Sequence, residues 1–147
     1  MRYLFGDSDL AAHRLEVLHR VFRPTSETML REVASQGVGL AIDLGCGPGV
    51  CTRFLAENLN AEQVIGLDSS PGFIALAQAQ ATERIQFAVH DVTVVPFPVG
   101  PADLLYGRYL MTHLREPGIV FARWASQSCP CRCRARRFRP AQEFAAW

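Results

Sequence analysis

The sequence contains no lysine, and all 15 of its basic residues are arginine. Schiff-base chemistry and a P-loop lysine are therefore excluded. No apolar run approaches the roughly 20 residues that a membrane helix needs, and Asp7 and Asp9 stand where a signal peptide would need its apolar core. The sequence also lacks an excess of either sign of charge, since 15 basic and 14 acidic residues leave a formal charge of +1. We therefore expect a cytoplasmic protein with neither a membrane nor a nucleic-acid partner.

Cysteines are few and odd in number. Of the five, Cys46 and Cys51 lie far in sequence from Cys129, Cys131 and Cys133. Such a split does not suit a disulfide framework, so we expect reduced thiols. The C-x-C-x-C string lacks the paired spacing and the fourth ligand of a zinc site, so we predict no metal. A content of 49% hydrophobic and 20% charged residues is typical of a globular domain.

The first segment, residues 1–37, carries apolar residues at helical spacing. We predict two short helices, because Pro24 interrupts the pattern and Thr25 or Ser26 could cap a second helix. The predicted apolar stripes are Leu10, Leu15, Leu18, Val21 and Phe22 in the first helix, and Met29, Leu30 and Val33 in the second.

The middle segment, residues 38–128, alternates short apolar runs with helical stretches, which is typical of a parallel sheet with crossover helices. We therefore predict an α/β fold with about four parallel strands. The predicted strands are Leu40–Leu44, Val64–Leu67, Ile85–Val89 and Ala102–Tyr106. The predicted helices are Cys51–Leu59, Phe73–Thr82 and Pro117–Trp124.

The last segment, residues 129–147, contains no Gly, Leu, Ile, Val or Met, and it carries five Arg against one Glu. A buried parallel strand needs aliphatic side chains larger than alanine. We therefore expect the alternation to stop where a fifth strand would begin, and we expect this tail to be disordered.

A glycine-rich turn follows the first predicted strand. In AIDLGCGPGVCTRF the strand runs into Asp43, then Gly45, Gly47 and Gly49, and then a helix. Glycine adopts backbone angles closed to other residues and lets a ligand approach the main chain. The N-terminus of the following helix can present N–H groups to a polar ligand. The segment therefore predicts a ligand site.

Acidic residues end the next two predicted strands. Asp68 follows the turn by about 20 residues, the distance at which a carboxylate accepts the hydroxyls of a ribose. Asp91 ends the third strand, where it could accept from an adenine amino group or serve only as a helix cap or a solvated loop acid. The combination predicts a nucleoside ligand. An NAD-dependent oxidoreductase is disfavoured, because the third glycine comes one position too early for G-x-G-x-x-G.

Four motifs carry a family resemblance: AIDLGCGPG, VIGLDSSPGFIALA, IQFAVHDVTVVPFP and ADLLYGRYLMTHLREP. In this order and spacing they resemble the class I S-adenosylmethionine-dependent methyltransferases over residues 38–124. The resemblance implies a Rossmann-like three-layer α/β/α sandwich, here partial, with S-adenosyl-L-methionine as cofactor and a small-molecule methyl acceptor. Residues 1–37 look like the helical lid of small-molecule enzymes such as trans-aconitate methyltransferases. Residues 38–128 would then be the cofactor domain.

The resemblance also implies residues for the methionine portion of the cofactor. Asp43 would fix the turn or the amino group. Arg108 would sit near the methionine carboxylate or the substrate opening, because its planar fork suits a carboxylate. Tyr3 and Arg14 are candidates to cover the cofactor, although packing or solvated roles suit them equally. The residues lining the methionine portion would be Gly45, Cys46, Gly47 and Gly49.

For the adenosine portion, the resemblance implies that Asp68 and Ser69 hold the ribose while Asp91 and Val92 flank the adenine. The acceptor could be a carboxylate. His113 or Tyr109 could reach it as a base, but methyl transfer from a sulfonium does not require one.

The family fold has seven strands, and the last three have no counterpart before the arginine-rich tail. The resemblance therefore predicts a C-terminally truncated methyltransferase that keeps the cofactor-binding half. The alternative that a truncation favours is a non-catalytic nucleoside-binding or interaction module.

Overall fold

Eight main elements make up the described part of the chain, residues 9–34 and 37–128 of a computed structural model. Short 3₁₀ turns lie at Gln78–Gln80 and Met111–His113. The helices are α1 (Asp9–Ala34), α2 (Val50–Asn58), α3 (Pro71–Ala77) and α4 (Pro117–Ala125). The strands are β1 (Leu40–Leu44), β2 (Gln63–Asp68), β3 (Ile85–Val89) and β4 (Leu104–Gly107).

The four strands form one parallel sheet in the order β3-β2-β1-β4. Ile42 is registered with Ile65 of β2 on one side and with Leu105 of β4 on the other. The strand order reverses between β1 and β4, and at such a point open α/β sheets bind ligands in a crevice at the carboxyl ends of the strands. The predicted α/β class with four parallel strands is confirmed.

Each face of the sheet is covered by its own apolar core. On one face Ile42, Leu44 and Ile65 pack with Val120 and Trp124 of α4. On the other, the buried residues belong to α1, α2, β1, β2 and β4, and they include Leu30, Ala41, Phe54, Leu55, Val64 and Tyr106. Helices on both faces give the three-layer α/β/α arrangement.

The N-terminal segment forms one helix where the sequence predicts two. α1 continues through Pro24, and Ser26 does not cap a second helix but donates its hydroxyl to the Phe22 carbonyl, at 3.1 Å. Both predicted stripes are also wrong in part, because Leu10, Val21 and Phe22 of the first and Met29 of the second are exposed. Among residues 10–32 of α1, the buried ones are instead Ala11, His19, Ser26 and Leu30. These positions are spaced by eight, seven and four residues, so they lie near one face of the helix on both sides of Pro24, and packing of that face holds the two halves in one helix.

Element boundaries differ from the prediction mainly at β4 and α3. β4 begins at Leu104 rather than Ala102, and the Asp103 carboxylate just before it accepts from the backbone N of Gly39 and Leu40. α3 ends at Ala77, and a 3₁₀ turn replaces the rest of the predicted helix.

The outer side of β4 carries one short pairing. Ala102 forms an isolated parallel bridge with Ser128, and its N–H donates to the Gln127 carbonyl at 2.9 Å. The predicted tail, residues 129–147 with Cys129, Cys131 and Cys133, lies outside the described residues. None of the helices in the described part of the chain combines the length and the apolar character needed to span a bilayer.

Candidate functional site

The glycine turn between β1 and α2 has the backbone geometry that its sequence predicts. Gly45, Gly47 and Gly49 all have positive φ, at 70°, 55° and 87°. Gly49 is constrained twice, because a Cβ there would also lie 2.9 Å from the Phe87 ring. Only glycine satisfies both conditions without strain.

The turn is held against the end of β2 by main-chain hydrogen bonds. The N–H groups of Gly45 and Cys46 both donate to the Leu67 carbonyl, at 2.8 and 3.0 Å. The Gly47 N–H donates to Asp68 Oδ2 at 2.9 Å, and the Ser70 N–H donates to Asp68 Oδ1 at 2.8 Å. Asp68 therefore fixes the turn as well as facing the crevice, and each carboxylate oxygen can accept a further hydrogen bond.

Asp43 lies beneath the turn rather than in the crevice. Its side chain is 1% exposed and accepts a hydrogen bond of 2.7 Å from the Thr52 hydroxyl of α2. Burial raises the pKa of Asp43 to about 7; the Thr52 hydrogen bond opposes the shift, and the nearby Asp68 charge adds to it. Of the two predicted roles, fixing the turn matches this position.

Asp91 is held by its own loop. Its Oδ1 accepts from the Thr93 backbone N at 2.9 Å and from the Thr93 hydroxyl at 2.7 Å. Partial burial disfavours the charged form, but these hydrogen bonds outweigh it and lower the pKa of Asp91. Asp91 therefore presents a charged carboxylate at the end of β3.

These strand ends and the turn border one open cleft at the carboxyl edge of the sheet. Seven predicted site residues line it: Gly45, Gly47, Asp68, Ser69, Asp91, Val92 and Arg108. The structure thus brings together residues that are up to 63 positions apart in the chain.

Three predicted residues do not line the cleft. Asp43 is buried as described above, and Gly49 packs against Phe87 and Ala77. Cys46 is 5% exposed, and burial raises the pKa of its thiol well above the usual value. Its side chain therefore packs as a small apolar group under the turn.

Arg108 enters the cleft from the loop after β4. Its guanidinium carbon lies 5.6 Å from the ring centre of Phe22 and 5.0 Å from that of Tyr109. Its Nη1 atom is buried and has no hydrogen-bond partner among the described residues. A buried guanidinium N–H without an acceptor is costly, so the position favours an anionic ligand group.

Several cleft residues were not in the predicted site. Leu15 of α1 lies over Gly47, where an added Cβ would be 3.3 Å from its side chain. Its helical stripe marked it only as apolar, so nothing in the sequence distinguished it from a core residue. The other unpredicted lining residues are Phe73, Thr93, Leu110 and Leu114.

Of the four other residues that the sequence analysis proposed near the cofactor or the acceptor, two line the cleft. His113 and Tyr109 both line the cleft. Arg14 lies on α1 and is not among the lining residues, and Tyr3 lies outside the described part of the chain. Within residues 9–34 and 37–128, no cluster of three or more His, Cys, Asp or Glu side chains could hold a metal ion.

The fold and the cleft define a Rossmann-like α/β domain with a ligand site at the carboxyl edge of its sheet. A family profile described as a methyltransferase domain matches residues 41–127, which include all four strands except Leu40. The chain therefore belongs to the methyltransferase-domain family, and the resemblance to class I S-adenosylmethionine-dependent methyltransferases is confirmed.

Individual relatives agree with this assignment. The chain is 36% identical over 101 residues to a trans-aconitate 2-methyltransferase of Methylobacterium radiotolerans, covering 69% of this chain and 38% of that protein. It is 35% identical over 89 residues to the aklanonic acid methyltransferase DauC of Streptomyces sp., covering 57% and 40%. The chain thus spans less than half the length of these relatives.

A solved structure shares the architecture. An S-adenosylmethionine-dependent methyltransferase from Mesorhizobium loti superposes with a TM-score of 0.54 at 28% identity. The superposition covers 64% of this chain and 43% of that one.

Proposed function

We propose that the cleft binds S-adenosyl-L-methionine and that the protein transfers its methyl group to a small-molecule acceptor. The observation that carries the proposal is the meeting of the glycine turn, Asp68 and Asp91 in one cleft. Family membership and the names of the relatives support the same cofactor.

The adenosine portion would lie across the ends of β2 and β3. Asp68 has acceptor capacity left for the ribose hydroxyls, because each of its oxygens receives only one of the described backbone hydrogen bonds. Ser69 lies next to it, while Asp91 and Val92 would flank the adenine. The methionine portion would lie along Gly45 and Gly47, whose lack of side chains leaves room beside the main chain.

The chemistry requires positioning more than proton transfer. When bound, the cofactor supplies an electrophilic methyl group on a sulfonium. The chain's own residues would orient the cofactor and exclude water, with Leu15, Leu110 and Leu114 forming the apolar part of the cleft. His113 lines the cleft and could assist an acceptor that must lose a proton.

We further propose an acceptor that carries a carboxylate, since the names of two relatives are those of carboxylic acid methyltransferases. A cytoplasmic location and the absence of a nucleic-acid partner belong to the same proposal. The role of α1 as a lid is also proposed, on the ground that Leu15 covers Gly47.

The proposal is tested by calorimetric titration with S-adenosylhomocysteine and, separately, with NAD⁺. We expect S-adenosylhomocysteine to bind and NAD⁺ not to bind. Asp68→Asn should weaken binding at least tenfold, because a ribose loses its charged acceptor. The matched control is Asp103→Asn, which removes another carboxylate that holds backbone N–H groups but lies outside the cleft.

Three outcomes would count against the proposal. Preference for NAD⁺ would favour an oxidoreductase. Equal weakening of S-adenosylhomocysteine binding by Asp68→Asn and Asp103→Asn would show that the ligand binds outside the cleft. Binding of S-adenosylhomocysteine without methyl transfer to any carboxylate in an acceptor screen would favour a non-catalytic nucleoside-binding module.

A further inference from the structure

Arg108 is the one arginine among the cleft-lining residues, and its surroundings leave it without a described carboxylate partner. The Arg108 charge acts on the buried Asp43 carboxyl and opposes the rise in its pKa that burial causes, while two other nearby groups are neutral. Burial raises the pKa of the Cys51 thiol to about 12, and burial followed by the Arg108 charge lowers the pKa of His19. Cys51 Sγ and His19 Nδ1 lie 3.7 Å apart, so the pair forms an uncharged wall.

Two aromatic rings hold the guanidinium from different elements. Phe22 comes from α1 and Tyr109 from the loop after β4, and the two ring centres are 6.2 Å apart at 61°. Both rings lie within the distance at which a cation is attracted to an aromatic ring. The Tyr109 hydroxyl also donates to the Leu18 carbonyl of α1, at 3.4 Å, which ties the loop to the helix.

The backbone of Tyr109 is in an uncommon conformation. Its φ is 58°, and it is the one non-glycine residue with positive φ in the described part of the chain. Such a conformation costs free energy in a residue with a Cβ, and it persists where surrounding contacts enforce it. Here it places two successive side chains, Arg108 and Tyr109, in contact with each other.

We propose that Phe22 and Tyr109 are positioning residues, which hold the Arg108 guanidinium for the carboxylate of the cofactor's methionine portion. The inference rests on the proposed function and deepens it, because it makes α1 a part of the carboxylate site. The Arg108 guanidinium, which lines the cleft and has one buried N–H nitrogen without a hydrogen-bond partner among the described residues, supplies the hydrogen-bond donors. The rings restrict the guanidinium without offering a competing negative charge.

The test compares two ligands, S-adenosylhomocysteine and 5′-methylthioadenosine, which shares the adenosine but lacks the amino acid portion. Dissociation constants are measured for the wild type, Phe22→Leu, Tyr109→Asn and Arg108→Gln. Asparagine is chosen at position 109 because it tolerates positive φ and removes the ring together with its hydroxyl. Tyr109→Phe keeps the ring and serves as the conservative variant.

We expect Phe22→Leu and Tyr109→Asn each to weaken S-adenosylhomocysteine binding about threefold to fivefold, as loss of a partly exposed cation–π contact implies. Arg108→Gln should weaken it by about tenfold or more. Binding of 5′-methylthioadenosine should change less than about twofold in all variants, and Tyr109→Phe should behave like the wild type.

Equal weakening of both ligands would show that the rings only support the fold, and it would overturn the inference. An Arg108→Gln variant with unchanged S-adenosylhomocysteine binding would overturn it as well. Failure of the wild type to bind either ligand would instead refute the proposed function, so the two failures are distinguishable.

Discussion

At Gly49 and Gly66, the space available for a side chain requires glycine, and at Gly49 the backbone φ requires it as well. Gly49 lies against Phe87 and Ala77, and Gly66 in β2 faces both Phe87 and Cys46 at distances that leave no room for a methyl group. The sequence indicated the positive φ of the turn but not these contacts, because Phe87 is 38 residues from Gly49.

We expect Gly49→Ala to destabilise the protein by about 2–3 kcal/mol, since the substitution combines a positive φ with a steric overlap. Urea unfolding measures the change. The matched control is Gly118→Ala in the first turn of α4, where a Cβ meets nothing within 4 Å. The control should be neutral or slightly stabilising. A similar loss in both variants would contradict the prediction.

The buried carboxyl of Asp43 predicts a dependence of stability on pH. Its pKa is about 7 in the folded protein against an ordinary value of 3.8, so between these values the folded state binds the proton that the unfolded state has released. Stability from this group is therefore fully present below about pH 4 and is lost as the pH rises through about 7.

We expect Asp43→Asn to remove this loss. From about pH 4.5 to 7.5 the free energy of unfolding should fall less steeply in the variant than in the wild type. Over this range the difference in that free energy between the two proteins should change by at least about 1 kcal/mol. Urea titrations of both proteins at several pH values measure it. A difference that stays constant across this range would contradict the raised pKa.

Among the elements, α1 differs most from its prediction, because the sequence predicted two helices and the structure has one. Pro24 removes a backbone donor, and this favoured a break between two helices. The helix continues because Ala11, His19, Ser26 and Leu30 are buried along one side of it. Such tertiary contacts were not visible in the pattern, because the buried face contains a histidine and a serine where the apolar stripe suggested leucine and phenylalanine.

We expect Pro24→Ala to stabilise the protein by about 1–2 kcal/mol, because the restored N–H can donate within the helix. Part of the gain is offset by the greater freedom of alanine in the unfolded chain. Pro71→Ala is the control, since Pro71 occupies the first turn of α3, where no intrahelical donor is needed. Chemical denaturation followed by circular dichroism compares them, and a larger gain for Pro71→Ala would be evidence against this explanation.

The strands were predicted better than the helices. β1 and β3 have the predicted bounds, and β2 extends the prediction by one residue at each end. Buried parallel strands are continuous apolar runs bounded by polar or glycine residues, so their ends can be identified from the neighbouring residues in the sequence. β4 was misplaced by two residues at its start, and the long-range role of Asp103 just before it has no local signal.

At the scale of the whole molecule, the parallel topology explains why the candidate site could be predicted. Parallel strands put their carboxyl ends on one edge, so residues following β1, β2, β3 and β4 meet there whatever their separation in sequence. This logic predicted Gly45, Asp68 and Asp91, while Arg108 was implied by the family resemblance. It could not predict the contribution of α1, since the position of Leu15 and Phe22 depends on how the helix packs over the cleft.

The central claim is that one cleft at this edge binds the nucleoside cofactor. Titration of ¹⁵N-labelled protein with S-adenosylhomocysteine, followed by amide chemical shifts, tests it most directly. We predict saturable shifts concentrated at the amides of Gly45, Gly47, Ser69, Thr93 and Leu110, with little change at the opposite edge of the sheet near Leu40 and Ile85. A dispersed spectrum of folded protein with no shifts at the cleft amides, or with shifts confined to another surface, would contradict the claim.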